Sequence, residues 1–194
     1  MKLSREVLSR IFQQVAAEDT KFQESLEVVR QNSSGRIWLT GGFLYKNLAH
    51  YLYGSKKETK DFDFIVEKAN PSIILPDGWH QEINRFGNLK FINRSKEIED
   101  DFILLPEMFY IKESKLTPRI ANYFAGMPLN IHCLAYDIQE QKVIGMTGIR
   151  ALEERIVRAH NLEMLKYGAR AYHTTPNDMI RKKASELGFL VELI

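Results

Sequence analysis

Residues 39–66 decide the fold, and they read LTGGFLYKNLAHYLYGSKKETKDFDFIV. The apolar residues at the start of this stretch are typical of the end of a short strand. Gly41 and Gly42 follow, and residues 43–53 then return to the apolar spacing of a helix. Residues 61–66 alternate polar and apolar side chains, as a half-buried strand does. The stretch therefore predicts a strand, a Gly-Gly turn, a helix and a second strand, in that order.

Two acidic residues, Asp61 and Asp63, begin the second of these strands. Residues i and i+2 of a strand point to the same face, about 7 Å apart, so the two carboxylates repel each other. Phe62 and Phe64 point to the opposite face, which we expect to be buried. A divalent cation between the carboxylates would remove the repulsion, and oxygen-only ligands favour Mg²⁺ or Mn²⁺. The alternative is a surface strand with an exposed acidic face.

The Gly41-Gly42 turn strengthens the metal hypothesis. Two glycines between a strand and a helix let the backbone approach a phosphate group closely. The first turn of the helix also offers N–H groups to an anion. For an isolated Gly-Gly pair, a tight turn without a ligand is the alternative. Beside the Asp-x-Asp pair of a neighbouring strand, the turn predicts a site for a nucleoside triphosphate and its metal.

The same stretch resembles the nucleotidyltransferase signature of the DNA polymerase β superfamily: an apolar strand, Gly-Gly, a helix and an Asp-x-Asp strand. More closely, it is similar to the head domain of the poly(A) polymerase and tRNA CCA-adding enzyme family. Residues 128–158, PLNIHCLAYDIQEQKVIGMTGIRALEERIVR, resemble the later part of that head domain. There, a strand ending in Ala-Tyr-Asp leads through a hairpin into a helix. The resemblance spans residues 36–158.

The chain departs from the family pattern at two places. Tyr45 and Lys46 stand where the CCA-adding pattern has Arg-Asp after Gly-Gly-x-Val. The Arg-Arg-Asp set that precedes Ala-Tyr-Asp in that family is absent from residues 126–133. These departures bear on CCA addition itself, and they leave the Asp-x-Asp pair intact.

The resemblance implies an α+β protein with the nucleotidyltransferase fold: a small mixed β-sheet flanked by helices, with helical N- and C-terminal segments. We expect a single nucleotidyltransferase-like domain over residues 1–194. Its parts would be N-terminal helices at 1–35, a catalytic α/β core at 36–147 and neck-like helices at 148–194.

Hydrophobic spacing also predicts individual elements. Two amphipathic helices are expected at residues 4–16 and 18–31. The longest strand-like run is at 129–138, LNIHCLAYDI, and we expect residues 142–144 to pair back to it. From residue 148 onward the pattern is helical.

The family site includes a third carboxylate on a strand after the Asp-x-Asp strand. Residues 89–105 read as a hairpin, and Asp101 begins the apolar part of its return strand, so Asp101 is the candidate. Glu99, on the same face, is the alternative. The resemblance then implies two Mg²⁺ or Mn²⁺ ions held by Asp61, Asp63 and Asp101, which would also be the catalytic residues.

Nucleotide contacts are expected from Gly41, Gly42, Lys46 and Arg158. The two glycines would cradle the phosphates, and Lys46 would help to orient the triphosphate. Arg158 either lines the triphosphate site or is solvated on a helix surface.

The resemblance implies a metal-dependent nucleotidyltransferase that moves an NMP, with AMP or CMP foremost, from an NTP to a hydroxyl acceptor. The acceptors considered are an RNA 3′ end, including that of tRNA, a protein hydroxyl and a small molecule. One alternative is a catalytically inactive nucleotide- or RNA-binding module. Another is a structural subunit of a larger complex, with a protein partner.

Composition excludes several other classes of protein. The chain has 194 residues, 44% of them hydrophobic and 27% charged, which is ordinary for a soluble globular domain. The single cysteine, Cys133, excludes an intramolecular disulfide and a Cys-rich zinc site. The chain contains no run of about 18 uncharged apolar residues, and its start lacks the apolar region of a signal peptide. We therefore expect a cytoplasmic protein with no membrane partner.

Charge is unevenly distributed although the formal net charge is only +2. Residues 97–113 contain six acids and one base, whereas residues 150–183 contain eight bases and four acids. One interpretation is two solvated, complementary faces. The other is an acidic metal site beside a basic surface for polyphosphate or nucleic acid.

Overall fold

The computed structural model describes residues 2–56 and 61–194. Its α-helices are α1 (Arg5–Glu18), α2 (Thr20–Gln31), α3 (Gly41–Tyr53), α4 (Phe109–Glu113), α5 (Ile120–Ala125), α6 (Met146–Glu154), α7 (Leu162–Ala171) and α8 (Pro176–Leu187). Its strands are β1 (Ser33–Thr40), β2 (Asp61–Ala69), β3 (His80–Ile83), β4 (Leu89–Asn93), β5 (Ile98–Leu104), β6 (Ala135–Asp137), β7 (Lys142–Ile144), β8 (Ile156–Arg158) and β9 (Leu190–Glu192).

Within these described ranges, seven strands form one sheet in the order β3-β4-β5-β2-β1-β6-β7. The β2–β5 pair is parallel, and the other neighbouring strands of this sheet are antiparallel. The strand that carries Asp-x-Asp is therefore central, between β1 and β5. The predicted mixed sheet flanked by helices is confirmed.

One face of the sheet packs against α1, α2 and α3 through aromatic side chains. Phe12, Phe22, Phe43, Phe62 and Phe64 lie in one buried cluster, in which the Phe43 and Phe62 ring centroids are 4.7 Å apart. Burying each ring stabilises the fold by about 1.5–3 kcal/mol. This cluster packs against the helical side of β2, so the acidic residues of β2 face the opposite side of the sheet, as predicted.

The opposite face of the sheet is covered only in part. Trp38 and Ile65 pack there with Ile111 of α4 and Tyr123 of α5. This second cluster ends before Asp63, whose side chain lines a cavity instead. The incomplete cover leaves the start of β2 accessible.

Capping residues set several helix ends. The Ser4 hydroxyl accepts a hydrogen bond from the backbone N–H of Val7 at the start of α1. The Thr175 hydroxyl does the same for Asp178 in α8, and Gly188 ends that helix in the left-handed conformation. The two predicted N-terminal helices are confirmed.

The predicted strand over residues 129–138 is wrong in its first half. Asn130–His132 form a 3₁₀ turn, and only Ala135–Asp137 form a strand, which does pair with β7. The buried amide of Asn130 explains the difference, because it donates to Ile156 O and accepts from the N–H of Arg158. Residues 129–132 alternate apolar and polar side chains, which is the pattern of a strand, so the sequence gives no sign of this turn.

The segment from residue 148 onward is largely helical, as predicted, but it also contains two short strands that the pattern does not predict. Arg155 adopts a left-handed backbone conformation and ends α6, and β8 then pairs in parallel with β9. Strands of three residues are too short for an alternating pattern to show.

In the parts of the chain that the structure describes, no helix has both the length and the apolar character needed to cross a bilayer.

Candidate active site

The Gly41-Gly42 turn is built around the carboxylate of Asp63. Gly41 has φ +70°, and a Cβ atom placed on it would lie 1.7 Å from Oδ2 of Asp63. The Gly42 backbone N–H hydrogen-bonds to the same carboxylate. Thr40, at the N-cap of α3, supplies no side-chain cap, so the Asp63 carboxylate satisfies this donor at the N-terminus of α3. The turn therefore holds Asp63 in position, in addition to any role in phosphate binding.

Asp61, Asp63, Glu99 and Asp101 share one face of the central parallel pair. In the register of β2 and β5, Asp61 pairs with Glu99 and Asp63 pairs with Asp101. Paired residues of neighbouring strands point to the same side of the sheet. Strands β2 and β5 thus bring together the three acidic residues predicted from sequence and the alternative, Glu99.

The two candidates for the third carboxylate differ in their partners. Glu99 forms an ion pair with Lys90 of β4. Asp101 is the register partner of Lys90 on β4, but its Oδ1 atom is buried with no hydrogen-bond partner among the described residues. Asp101 therefore has unused acceptor capacity next to Asp63, whereas Glu99 is engaged.

Burial and mutual repulsion govern the protonation of these groups. Asp63 lies deep in the protein while keeping some accessible surface towards the cavity. Burial, reinforced by the charges of Asp101 and Asp61, raises the pKa of Asp63 to about 7. Burial likewise raises the pKa of Asp101, against a hydrogen bond from Asn84 that lowers it. A cation at this position would offset both costs.

Asp100, which lies between these acids in sequence, faces the helical core instead. Its carboxylate is buried, and burial raises its pKa to about 8 against the opposing effect of the Ser25 hydroxyl of α2. Asp100 therefore belongs to the sheet face that packs on α2 and is not available to the cleft.

The donor set fits a divalent cation. It offers carboxylate oxygens only, the preference of Mg²⁺ and Mn²⁺, and it includes the unpartnered Oδ1 of Asp101. Within the described ranges, no three His, Cys, Asp or Glu side chains are already close enough to form a metal site as they stand. Asp61, Asp63 and Asp101 would have to draw together around a bound ion.

The raised pKa of Asp63 predicts a pH-dependent stability. Asp63 in the folded protein keeps its proton up to a pH of about 7, whereas in the unfolded chain it loses it near 3.8. The stabilisation that this proton provides is complete below pH 3.8 and is lost as pH rises through about 7. Raising the pH from 4.5 to 7.5 should therefore lower the free energy of unfolding of the metal-free wild type by about 2–4 kcal/mol relative to that of Asp63→Asn, whose side chain does not titrate.

Urea unfolding in EDTA at both pH values measures this difference. Asp100 retains its own raised pKa in both proteins, so its contribution cancels in the comparison. Equal free energies of unfolding for the two proteins at every pH would contradict the assignment of a deep, repelled carboxylate to Asp63.

A cavity of about 810 Å³, here called the first cavity, opens in front of these acids. Gly41, Gly42, Asp61, Asp63 and Lys46 line it, so five of the residues predicted from sequence meet there. Its volume is in the range of pockets that bind a nucleotide-sized ligand. Lys46 lies 3.6 Å from Glu186 of α8, which closes the opposite wall.

Two lysines that the sequence did not single out also line the first cavity. Lys182 and Lys183 come from α8, and Lys183 Nζ lies 2.8 Å from Glu186 and 5.3 Å from the ring centroid of Tyr45. The signal available was the basic run 181–183 beside a well-capped helix. The sequence could not predict that these lysines face the cavity, because the position of α8 depends on the short β8–β9 pair.

Arg158 does not join this group. It lies on β8, where its guanidinium is 3.3 Å from both Glu154 and Glu192. It is not among the residues that line the first cavity. Its contacts are those of a residue that ties β8 to α6 and β9.

A second chamber of about 510 Å³ lies on the Asp101 side of Asp63. It shares seven lining residues with the first cavity, so the two spaces adjoin along a boundary that contains one acid, Asp63, with Asp61 on the first side and Asp101 on the second. Burial lowers the pKa of His132 to about 3, so this imidazole is neutral at physiological pH. The arrangement offers two adjoining binding spaces with carboxylates at their junction.

Solved structures of CCA-adding enzymes share this fold. One, in complex with CTP, has a TM-score of 0.59 and 15% identity, over 98% of this chain and 43% of that one. The Bacillus stearothermophilus CCA-adding enzyme with CTP has a TM-score of 0.56 and 17% identity, over 90% and 41%. A CCA-adding enzyme with ATP has a TM-score of 0.53 and 16% identity, over 81% and 36%.

The expected nucleotidyltransferase fold is thereby confirmed. At this level of identity the likeness extends to the fold alone, and the chain spans less than half the length of those proteins. No protein-family model and no curated protein sequence matches the chain.

Proposed function

We propose that this protein is a metal-dependent nucleotidyltransferase that moves an NMP from an NTP to a hydroxyl acceptor, with AMP and CMP as the first candidates. The observation that carries the proposal is the setting of Asp63. Its carboxylate is held by the Gly41-Gly42 turn, lies beside Asp101, and faces a cavity that contains cationic side chains. The fold shared with CCA-adding enzymes supports the same reaction class.

The first cavity is the proposed NTP site. A triphosphate carries several negative charges, and Lys46, Lys182 and Lys183 supply positive charge on two facing walls. Glu186 contacts both Lys46 and Lys183, so it holds their ammonium groups near each other. The α3 N-terminus adds a positive helix-dipole end on the same side.

Asp61, Asp63 and Asp101 are the proposed ligands of two Mg²⁺ or Mn²⁺ ions. When bound, such ions supply Lewis-acid stabilisation of the triphosphate and lower the pKa of an acceptor hydroxyl. Asp101 accepts the hydroxyl proton, a role for which its raised pKa suits it. The acceptor oxygen bonds to the α-phosphorus as the bond to the α,β-bridging oxygen breaks. The electron pair of that bond leaves with pyrophosphate.

A non-catalytic nucleotide- or RNA-binding module is the second candidate. Two observations favour it: Asp63 already occupies the Gly42 N–H, and in the described part of the chain the acids do not yet form a metal site. Such a module would bind NTP without transferring it.

Metal-dependent NTP binding is the first test of the proposal. We expect ATP or CTP to bind at least 10-fold more tightly in MgCl₂ than in EDTA, because the acids otherwise repel the phosphates. Isothermal titration calorimetry measures both affinities, and labelled NTP with RNA, protein and small-molecule acceptors then measures transfer. Absence of NTP binding in both Mg²⁺ and Mn²⁺ would overturn the proposal. Binding without transfer to any acceptor would favour the second candidate.

Lys183→Gln tests the proposed triphosphate contacts. We expect a Kd for MgATP about 10-fold higher, the loss that follows from removing one charge-assisted contact. Lys166→Gln is the matched control, because Lys166 is an exposed lysine of α7 outside the cavity lining. Equal affinities for the two variants would place the triphosphate elsewhere.

A further inference from the structure

The second chamber differs in charge from the first cavity, with which it shares three of its methionines. Four of the six methionines of the chain line it. They are Met108, Met127, Met164 and Met179. Methionine side chains are flexible and polarisable, so they adapt to apolar ligands of varied shape. A wall of this composition beside a group of carboxylates is not needed to hold either the acids or a triphosphate.

Aromatic rings form the rest of the apolar surface. Phe109 and Tyr167 are stacked with ring centroids 4.5 Å apart, and Phe86 meets Tyr172 edge to face at 5.9 Å. Phe109, Phe86 and Tyr172 are each exposed despite their size. Exposed rings that line a concave space offer flat contact area to a ligand with a ring of its own.

Charge in the second chamber disfavours a polyanion. Its one lining cation among the described residues is Lys112, whose Nζ lies 2.6 Å from Glu107. Glu113 also lines the chamber and forms no ion pair within the described ranges. The nearby Arg85 lies outside the lining and stacks on Tyr172 at 4.9 Å. Single-stranded nucleic acid binding requires a groove with available Lys or Arg along the backbone, and this chamber provides none.

We propose that the second chamber is the acceptor site and that its acceptor is a small, non-anionic molecule with a flat apolar body and a hydroxyl group, rather than RNA. This inference rests on the proposed nucleotidyl transfer and specifies its acceptor class. A volume of about 510 Å³ suits a ligand of drug size. With the apolar body against Phe109 and the methionines, the hydroxyl would reach Asp101 and Asp63, where the two spaces meet.

Methionine methyl NMR provides a direct test, with 2-(2-naphthyl)ethanol as the probe. Met164 lines only the second chamber, whereas Met108, Met127 and Met179 line both spaces. Met146 of α6 lies in neither and serves as an internal control. We expect the naphthyl probe to shift the Met164 signal and leave Met146 unchanged. A 12-nucleotide RNA should leave Met164 unchanged at equal concentration.

Two variants separate ligand contact from folding. Phe109→Ala should weaken the binding of the probe by about 5–10-fold, the loss expected for one aromatic contact. Tyr51→Ala removes another exposed ring, on α3 and outside both spaces, and should not alter the binding of the probe. Both variants should retain the wild-type affinity for MgATP, which shows that they are folded.

Labelled transfer completes the test. With MgATP or MgCTP present, we expect label on the naphthyl alcohol, with release of pyrophosphate, and none on RNA. The inference is overturned if the probe leaves Met164 unmoved, or if RNA is labelled while the alcohol is not. If MgATP fails to bind while the probe still shifts Met164, the proposed nucleotidyl transfer fails instead. If MgATP binds and the probe does not, the transfer proposal stands and the acceptor class is wrong.

Discussion

Asp63→Asn is expected to reduce nucleotide transfer by on the order of 100-fold or more. Asparagine keeps the size and the hydrogen bond from Gly42 but removes the charge that the proposed divalent ions would require. The melting temperature of the metal-free variant should hold or rise at neutral pH, because repulsion with Asp61 and Asp101 is relieved. Transfer rates with labelled NTP and thermal unfolding in EDTA measure the two effects.

Asp137→Asn is the matched control, and we expect it to lower stability while leaving nucleotide transfer nearly unchanged. Asp137 is buried and forms an ion pair with Arg36, and its Oδ1 accepts from Glu140 N–H in the β6–β7 turn. The loss of that ion pair should lower the melting temperature. The transfer rate, measured below that temperature, should stay within a few fold of the wild-type rate. Transfer that survives Asp63→Asn unchanged would exclude the proposed metal site.

Gly41→Ala is also expected to reduce nucleotide transfer, but by displacing the Asp63 carboxylate rather than by removing its charge. The added methyl would occupy the position of Asp63 Oδ2, so the carboxylate must move or the turn must open. We expect transfer to fall by about 10–100-fold, because a displacement of about 1 Å at the reacting groups costs on this scale. Unfolding free energy should also fall by about 1–2 kcal/mol, since alanine is strained at φ +70°.

Gly54→Ala separates strain from displacement. Gly54 has φ +71°, almost the same as Gly41, but a Cβ atom there would meet nothing within 4 Å. This variant should lose similar stability and keep its transfer activity. If both variants lost activity equally, backbone strain would explain the result and the contact with Asp63 would not.

The fold could be predicted from local patterns where each element has one clear period. The alternation at 61–66 and the glycine pair before α3 suffice for the strand–turn–helix–strand unit. The run at 129–138 misled because residues 129–132 alternate apolar and polar side chains as a strand does, and only the buried Asn130 side chain explains its 3₁₀ turn.

Predicting the site would have required knowledge of contacts between residues on neighbouring strands. Sequence shows that Glu99 and Asp101 share a face and favours Asp101, which begins the apolar run, but it does not show which of the two carboxylates is paired elsewhere. The difference comes from Lys90 on the neighbouring strand, which engages Glu99. Likewise, Lys183 reaches the cavity only because the β8–β9 pair sets the position of α8, and a pair of three-residue strands leaves no trace in the pattern.

The parallel pairing of β2 with β5 also has a consequence for the order in which the molecule assembles. Parallel strands cannot be joined by a tight hairpin, and here residues 70–97, which include β3 and β4, connect β2 to β5. Asp63 and Asp101 therefore meet only after a long loop has closed, against the repulsion of their own charges. If Asp63 and Asp101 hold a cation jointly, as proposed above, its binding would therefore report that the β2–β5 pair has formed.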